Sequence, residues 1–310
     1  MGVTITRPGK VWWPREGITK LEVARYYAEI SRHLAPWLNE RPLVVERCPD
    51  GLAGECFIQR SFWKGLPAGT PTVAIPAKGG GRTTRYVVGG SPPTVVALVN
   101  LGGIAIHVMN CRRAALDRPD WMAFDLDPEQ GGFAAAARVG QLLRALLTSL
   151  GLRGYPKTSG GRGLHVLIPL RRGPTQAEVR GAARAIAERL AACAPSLATT
   201  ALVRAERRGR VFIDVLRNAS GQTIVAPYAV RCRPGAPVST PLSWEEVQET
   251  LDPAALNLRT VGRRLTDRDP WHDFWARRQR LPALTCFRTR TSRTAFDIAA
   301  PQRSAPKRSG

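Results

Sequence analysis

The apolar and polar residues of the chain alternate between helical and strand periodicity. A capping box from Thr19 to Glu22 precedes apolar residues at helical spacing and predicts a helix over about residues 20–34, which Pro36 should limit. The same spacing predicts helices over 133–150 and 175–192. Short runs of apolar and β-branched residues predict strands over 41–47, 83–88, 104–108, 121–127, 163–170 and 211–216.

Local turn and cap signals complete this outline. Ser243 and Glu246 form a second capping box and predict a short helix, and the glycine-rich residues 77–82 predict a hairpin loop. Strands and helices alternate, so the fold class is α/β or α+β. After about Leu281 the sequence is polar, basic and rich in Ser and Pro. We therefore expect residues 1–282 to form one folded catalytic domain and residues 283–310 a disordered basic tail.

The charge of the chain points to a polyanionic partner. Lys and Arg number 46 against 24 Asp and Glu, which gives a formal charge of +22, and all but six of the cations are arginine. Such an excess repels itself unless it is neutralised, so nucleic acid is the first candidate partner. An arginine-rich codon bias is the alternative. Charge alone sets only the class of partner.

Composition also limits compartment and cysteine chemistry. No apolar run is long enough to span a membrane and the N-terminus has no signal-peptide pattern, so we expect a cytoplasmic, nucleoid-associated protein without a membrane partner. The six cysteines are scattered without a CxxC pair or a nearby His. We therefore expect reduced thiols, mostly buried, rather than a zinc site or disulfides.

Two carboxylates interrupt the apolar run at 121–127. Asp125 and Asp127 are two residues apart, so in a strand they would face the same side. Carboxylates placed side by side repel each other unless a divalent cation lies between them, which is the arrangement of a two-metal site. A turn at the strand end, with Asx caps in Asp-Leu-Asp-Pro, is an equally good interpretation of this segment alone.

Two more segments carry candidate chemistry. Residues 157–165 form a glycine-rich turn whose backbone N–H groups could approach phosphate oxygens, with Ser159, Arg162 and His165 as further donors. The turn matches neither the P-loop nor the Rossmann fingerprint, and a plain β-hairpin would also explain it. Asp214 is a single acid in an apolar strand. For an isolated acid, a buried ion pair with Arg217 or Arg231 is the more common explanation.

Together these motifs resemble one family. DLDP (125–128), SGGRGLH (159–165) and IDVLRN (213–218), with TIVAPYAVR (223–231) downstream, have the order and spacing of the polymerase domain of bacterial ligase D. This is the primase-polymerase module of non-homologous end joining, in the archaeo-eukaryotic primase superfamily. The resemblance extends from about Lys10 to Trp275 and implies an α+β primase-polymerase fold. That fold has a mixed, mainly antiparallel catalytic sheet flanked by helices, with a smaller N-terminal α/β subdomain.

The resemblance also implies roles for individual residues. Asp125, Asp127 and Asp214 match the catalytic ligands of two Mg²⁺ or Mn²⁺ ions. The residues that match the binding site for the incoming nucleotide are His107, Ser159, Gly160, Gly161, Arg162, His165, Arg217 and Arg231. Those that match DNA contacts are Lys10 and Lys20, on the 5′-phosphate of a gap, together with Phe57 and Arg60.

Some positions depart from the family pattern. Ile58 replaces the second member of an aromatic pair that stacks on the template, and Ala105 and Met109 replace the usual neighbours of His107. Arg162 and Arg60 stand where lysine is common, and an arginine cannot lose a proton to act as an acid.

Three hypotheses for the function follow. The first is a template-directed, metal-dependent nucleotidyltransferase that adds one or a few nucleotides, by resemblance ribonucleotides in preference, at gaps or broken DNA ends. The second is a catalytically weak or inactive protein that binds DNA ends through the 5′-phosphate. A two-metal nuclease is a third, disfavoured because hydrolysis would not need a triphosphate cradle. The polymerase module fills the chain, so we expect action in trans with a separate DNA ligase and, by analogy, a Ku-type end-binding protein.

Overall fold

The computed structural model describes residues 2–62, 64–77, 81–265 and 269–282. The predicted tail at 283–310 lies outside these residues, as does part of the predicted hairpin loop at 77–82. Within the described ranges, no helix is both long and apolar enough to cross a membrane.

The elements alternate along the chain, much as their periodicity predicts. The α-helices are α1 (Lys20–Glu29), α2 (Ser31–Leu38), α3 (Pro92–Asn100), α4 (Gly132–Ser149), α5 (Gln176–Cys193), α6 (Arg204–Arg207) and α7 (Val261–Arg264). Short 3-10 turns occupy Leu216–Asn218 and Pro253–Ala255. The strands are β1 (Val11–Trp13), β2 (Ile18–Thr19), β3 (Leu43–Arg47), β4 (Phe57–Gln59), β5 (Thr72–Pro76), β6 (Thr83–Val87), β7 (Gly103–Val108), β8 (Trp121–Pro128), β9 (Tyr155–Thr158), β10 (Leu164–Pro169), β11 (Ala198–Thr199), β12 (Val211–Asp214) and β13 (Ile224–Val225).

A five-stranded sheet, which we call the catalytic sheet, has the order β11-β12-β8-β10-β9 and is antiparallel except for the β11/β12 pair. Helices α4 and α5 pack on one of its faces. Gly140 in α4 lies so close to Leu164 that an added Cβ would be 2.5 Å from it, and Leu126 lies beside the same glycine. Side chains alternate along a strand, so the odd-numbered residues of β8 point away from the helices.

A second sheet has the order β13-β7-β3-β4, with α1 and α3 packed nearby, and two-stranded ribbons are formed by β1/β2 and β5/β6. Strand β13 follows the catalytic strands in the chain, so this smaller unit combines N-terminal strands with one from the C-terminal half. One hydrophobic cluster runs through both sheets. The expected α+β architecture, with a mainly antiparallel catalytic sheet and a smaller sheet, is confirmed.

The predicted helix over 20–34 is two helices. Its capping box at Thr19 and Glu22 is present, but α1 ends at Glu29 and a new helix starts at Ser31. The break at Ile30 redirects the chain and brings Leu34, Trp37 and Leu38 into the core. Pro36 lies inside α2 on its exposed side, where the carbonyl of residue 32 can be hydrated in place of its helical bond.

The predicted helix at Ser243 is wrong. The segment forms only a turn, although Glu246 still accepts from the Ser243 N–H at 2.8 Å. The Gln141 side-chain amide donates to the carbonyls of Trp244 and Val247, at 3.0 and 2.8 Å. Because a tertiary contact takes these acceptors, no helix is needed to satisfy them.

The expectation that all cysteines are reduced is also wrong, because Cys48 and Cys56 form a disulfide. Arg47 pairs with Phe57 across β3 and β4, so the next residue on each side of this register is a cysteine. The spacing of eight residues gave no indication of this pairing. Cys111, Cys193 and Cys232 are free thiols, and Cys286 lies outside the described residues.

Candidate functional site

Four chemically active side chains form a row across the catalytic sheet. Asp125 is the register partner of His165 on β10 and of Asp214 on β12, and His165 is in turn the partner of Lys157 on β9. Directly opposed residues on neighbouring strands lie within side-chain contact. Asp127 is two residues farther along β8, on the same face. The acids are thus inside a strand that is paired on both sides, and the alternative of a simple turn at 125–128 is wrong.

The second sheet provides the opposite wall of a cleft. His107 on β7 is the register partner of Val44 on β3 and of Val225 on β13. The cleft between the sheets has a volume of about 460 Å³. The predicted site residues that line it are Arg60, His107, Asp125, Asp127, Ser159, His165, Arg217 and Arg231.

The three carboxylates have different electrostatic environments. Burial, then the charges of Asp125 and Asp214, raise the pKa of Asp127 to about 6. Burial alone would raise the pKa of Asp125 too, but His165 and Arg217 outweigh it and lower that pKa to about 2. Burial raises the pKa of Asp214. Asp127 has no hydrogen-bond or ion-pair partner among the described residues, so its charge is the least compensated.

Arg217 bridges the other two acids. Its Nε lies 3.5 Å from Asp125 Oδ2 and 3.6 Å from Asp214 Oδ2. Asp214 Oδ1 accepts from the Leu216 N–H at 2.7 Å. The ion-pair alternative for Asp214 therefore applies to Arg217 but not to Arg231, which donates instead to the Ser159 carbonyl at 2.8 Å.

Three neighbouring carboxylates provide the donor atoms that suit a divalent cation. No three His, Cys, Asp or Glu side chains in the described part of the chain converge into a metal-binding group. The arginine between Asp125 and Asp214 supplies the positive charge there. Carboxylate oxygens are the ligands that Mg²⁺ and Mn²⁺ prefer, and the partnerless Asp127 has a raised pKa that a cation would reverse.

The two histidines of the cleft are neutral at physiological pH. Burial and the nearby cations Arg231 and Lys157 lower the pKa of His107 to about 3. Burial and Lys157 lower the pKa of His165 to about 4, against the opposing effect of Asp125. His107 Nε2 is buried with no hydrogen-bond partner in the described structure. His107 Nε2 is therefore available for a hydrogen bond with a ligand.

The glycine-rich turn at 157–165 is a β-hairpin, which was the alternative to a phosphate-binding turn. It also forms part of the cleft. Ser159 N–H donates to the Gly163 carbonyl at 3.0 Å, and Ser159 Oγ accepts from the Gly163 N–H. Gly160 has a φ of +69°, and a Cβ there would be 2.4 Å from Arg231 Cγ. Glycine therefore allows Arg231 to cross the turn. Gly161 lies against Arg233, whereas Arg162 is exposed and does not line the cleft.

Lys10 and Lys20 lie together outside the cleft lining. The Lys20 N–H donates to the Lys10 carbonyl at 2.8 Å, and its Nζ donates to Thr6. Burial, Lys10 and Arg7 lower the pKa of Lys20. Lys10 contacts Asp50, which is the acid nearest to this group of cations. We call Arg7, Lys10 and Lys20 the lysine cluster. Repulsion among its members favours an anionic ligand.

Strand β4 is the edge of the second sheet and carries an exposed apolar pair. Phe57 and Ile58 are 40% and 48% exposed, and Arg47 lies 5.4 Å from the Phe57 ring centre. Ile58 and Arg60 line the cleft, whereas Phe57 faces the other side of the strand. Ile58, which replaces an aromatic residue of the family, thus contributes to the cleft, whereas the aromatic Phe57 does not.

Two cleft residues were missed by the sequence argument. Gln222 and Arg233 line the cleft beside the predicted set. Arg233 follows Arg231 at an interval of two, but residues 231–233 form a tight turn rather than an extended segment, because the Arg233 N–H donates to the Arg231 carbonyl at 2.8 Å. No local pattern in the sequence marked Arg233 or Gln222 as a cleft residue.

Known proteins resemble this chain over most of its length. The family model described as LigD, primase-polymerase domain, matches residues 19–271. The multifunctional non-homologous end joining protein LigD of Pseudomonas aeruginosa is 36% identical over 286 residues, which cover 91% of this chain and 34% of that protein. The bifunctional LigD of Bacillus subtilis is 32% identical over 276 residues, which cover 88% of this chain and 44% of that protein.

A solved structure extends the likeness to the fold. The polymerase domain from Mycobacterium tuberculosis ligase D in complex with DNA superposes with a TM-score of 0.82 at 27% identity, covering 89% of this chain and 99% of that one. The chain spans about a third of the length of the Pseudomonas relative. From its sequence, its fold and the match over 19–271, the chain belongs to the LigD primase-polymerase domain family.

Proposed function

We propose that the protein is a template-directed, divalent-metal-dependent nucleotidyltransferase that adds one or a few nucleotides at gaps or broken DNA ends. The observation that carries the proposal is the register of β8, β10 and β12. It puts His165, Asp125 and Asp214 side by side, with Asp127 adjacent. All but Asp214 line the cleft, together with Ser159, Arg217 and Arg231, whereas Asp214 lines a neighbouring pocket beside Leu216.

Asp125, Asp127 and Asp214 would hold two Mg²⁺ or Mn²⁺ ions. Such ions would lower the pKa of a primer 3′-hydroxyl and neutralise the triphosphate during in-line displacement. Asp127, which has a raised pKa and no hydrogen-bond or ion-pair partner among the described residues, supports a site that a cation would complete.

The other cleft residues would bind and orient the nucleotide. Arg231 and Arg217 would offset negative charge that develops on the leaving pyrophosphate. Ser159, with the N–H groups at Gly160 and Gly161, would contact phosphate oxygens, and Arg162 at the tip of the turn would approach them from solvent. Neutral His107 and His165 would act as hydrogen-bonding groups rather than as charges. Ribonucleotide preference is part of the proposal through the family resemblance.

The DNA would lie across the lysine cluster and β4. Lys10 and Lys20 suit a terminal 5′-phosphate, because an ammonium group is a compact point charge. Lys20 also begins α1, where the helix dipole favours an anion. Phe57 and Arg60 would contact the template. The neighbouring Mycobacterium tuberculosis domain is described in complex with DNA, which supports a DNA partner here.

The cellular setting is proposed from the relatives. Proteins named for non-homologous end joining match most of this chain, so we propose a role in that repair process on the nucleoid. A separate DNA ligase and a Ku-type end-binding protein would then be partners.

A second candidate is an end-binding protein with little or no catalysis. It is favoured by Ile58 at an aromatic position and by Arg217 between two of the acids. This protein would use the lysine cluster without the carboxylates. The carboxylates of Asp125, Asp127 and Asp214 would repel the DNA phosphates, so they weaken a protein that only binds DNA. For that reason we favour the enzyme.

The test is extension of a labelled primer across a short gap that carries a 5′-phosphate, with Mn²⁺ or Mg²⁺ and each rNTP or dNTP in parallel. Templated addition that is lost on chelation supports the enzyme and reveals the sugar preference. Tight, 5′-phosphate-dependent binding without any addition would instead establish the end-binding protein.

Gly160→Ala is expected to raise the KM for the nucleoside triphosphate by about 10- to 100-fold, because Arg231 must move off the turn. The matched control is Gly151→Ala, since Gly151 has a similar φ of +68° and open space around it. Both variants should lose about 1 kcal/mol of stability from the left-handed backbone. Steady-state kinetics and thermal melting separate the two effects. An equal KM in both variants would mean that Arg231 does not need this turn.

A further inference from the structure

Lys157 is the one member of the four-strand row that the proposed chemistry does not use. Its side chain is fully buried. Within the described residues it has no ion pair with a carboxylate. Its Nζ lies 2.7 Å from His165 Nδ1 and donates to Ser239 Oγ at 2.5 Å. Burial lowers the pKa of Lys157 well below its usual value, because an ammonium group without a carboxylate partner is costly to bury. An apolar side chain would fill the same space without that cost, so packing alone does not explain a lysine here.

The hydrogen bonds around Lys157 have a defined direction. Ser239 Oγ donates its only proton to the Thr158 carbonyl at 2.8 Å, so it must accept from Lys157. At the other end, His165 Nε2 lies 3.1 Å from Asp125 Oδ1, an ion-pair contact to an oxygen that has no hydrogen-bond partner among the described residues. The chain of contacts therefore ends in acceptors on both sides, a carbonyl and a carboxylate.

One arrangement of protons fits both ends. The proton of the His165 ring is on Nε2, because a lone pair there would face the carboxylate. Nδ1 is then an acceptor, and Lys157 is the donor that fills it. A ring bonded at one nitrogen can still turn about its χ2 bond, whereas bonds at both nitrogens fix its plane.

We propose that Lys157 is a positioning residue that fixes the tautomer and plane of His165, so that Nε2–H is presented to Asp125 and the nucleotide cleft. Ser239 is the second support, since it holds Lys157 in place. The effect of Lys157 on catalysis rests on the proposed nucleotidyl transfer. The hydrogen bonds of Lys157 to His165 and Ser239 do not rest on it.

The tautomer can be measured without any substrate. The chain has four histidines, so ¹⁵N-histidine labelling gives a small set of signals, and His165→Asn assigns the one of interest. In the wild type we expect one tautomer, with the proton on Nε2 and a hydrogen-bonded Nδ1. In Lys157→Met, a variant of similar length without donors, we expect the hydrogen-bonded Nδ1 signature to be lost.

Two further variants make the result decisive. Lys64→Met removes one charge at an exposed position and should leave the His165 signals unchanged. Ser239→Ala keeps Lys157 and removes its acceptor, so it should shift the Nδ1 signal less than Lys157→Met does. It also provides the test if Lys157→Met does not fold. A proton on Nδ1 in the wild type, or unchanged His165 signals in both cleft variants, would overturn the proposal.

Kinetics then connect the arrangement to the reaction. Supports behind an active-site histidine are worth about 10- to 100-fold in activity, so Lys157→Met should lower kcat by that factor while the thermal midpoint stays the same or rises. A fall in both kcat and the midpoint would indicate a structural role and contradict the proposal. If the wild type adds no nucleotides, the proposed function fails, and the NMR comparison still decides the role of Lys157.

Discussion

Asp127→Asn is expected to abolish nucleotide addition and to make the fold more stable at pH 7. Removal of a metal ligand from a two-metal site leaves neither the hydroxyl nor the triphosphate properly held, so a loss of at least about 10³-fold is expected. The gain in stability has an electrostatic cause at the same residue. Asp127 is a half-buried carboxylate without a partner, next to Asp125 and Asp214.

The sign of the stability change follows from the pKa values. The pKa of Asp127 is about 6 in the folded chain and about 4 when the chain is unfolded. Ionised Asp127 therefore destabilises the fold fully above pH 6, and this cost fades as the pH falls from 6 to 4. With allowance for solvent screening, we expect Asp127→Asn to gain about 1 kcal/mol at pH 7 and almost nothing at pH 4.

Asp125→Asn is the matched control. It should abolish addition as well, but it should lower the free energy of unfolding at pH 7 by about 1 kcal/mol, because Asp125→Asn removes the carboxylate that pairs with the charged Arg217. That contribution is present above about pH 4 and lost between pH 4 and pH 2.

Primer extension and urea unfolding at pH 7 and pH 4 provide the measurements. Asp127→Asn that extends primers at the wild-type rate would show that the metal assignment is wrong. We expect the two variants to lose activity equally and to change stability in opposite directions. That result would show that the effect of each carboxylate on stability is independent of its role in the reaction.

The lysine cluster should make DNA binding depend on a 5′-phosphate. Lys10→Ala and Lys20→Ala, singly, should each weaken binding to a gap with a 5′-phosphate by about 10-fold, because each removes one charge-assisted contact to the dianion. Lys20 should have the larger effect, since it is buried and held by Thr6 in a fixed position.

The internal control is the same gap with a 5′-hydroxyl. Binding to that substrate should change little in either variant, so the preference for the phosphate should disappear. The salt dependence should also become shallower by about one unit in each variant. Fluorescence anisotropy at several salt concentrations measures both quantities. If both DNAs lose affinity equally, the lysines contribute general charge rather than recognition of the 5′-phosphate.

Much of the fold could be predicted from local patterns. The residues of β8 are apolar on both faces, because helices cover one face of the strand and the second sheet lies opposite the other face. The two acids of β8 were visible in the sequence because they interrupt this apolar run at an interval of two. The capping box at Thr19 marked a helix start correctly. Caps and alternation are local properties of the backbone, so a sequence displays them directly.

Other local signals were overruled by distant contacts. The capping box at Ser243 produced only a turn because Gln141, more than a hundred residues away, takes its carbonyls. The helix from Lys20 ends early because burying Trp37 and Leu38 requires a change of direction at Ile30. In both cases the free energy of packing exceeds the propensity of the segment.

The sequence by itself indicated the candidate site residues, the periodicity of most strands and helices, and the family. The tertiary structure decided which of those residues meet. Strand register aligned Asp214 with Asp125 and His165, placed Lys157 behind that histidine, and brought Cys48 to Cys56. Register depends on pairing between segments that can be more than a hundred residues apart, as Val225 and His107 are. No local pattern encodes that pairing, because it is selected by the burial of whole faces at once.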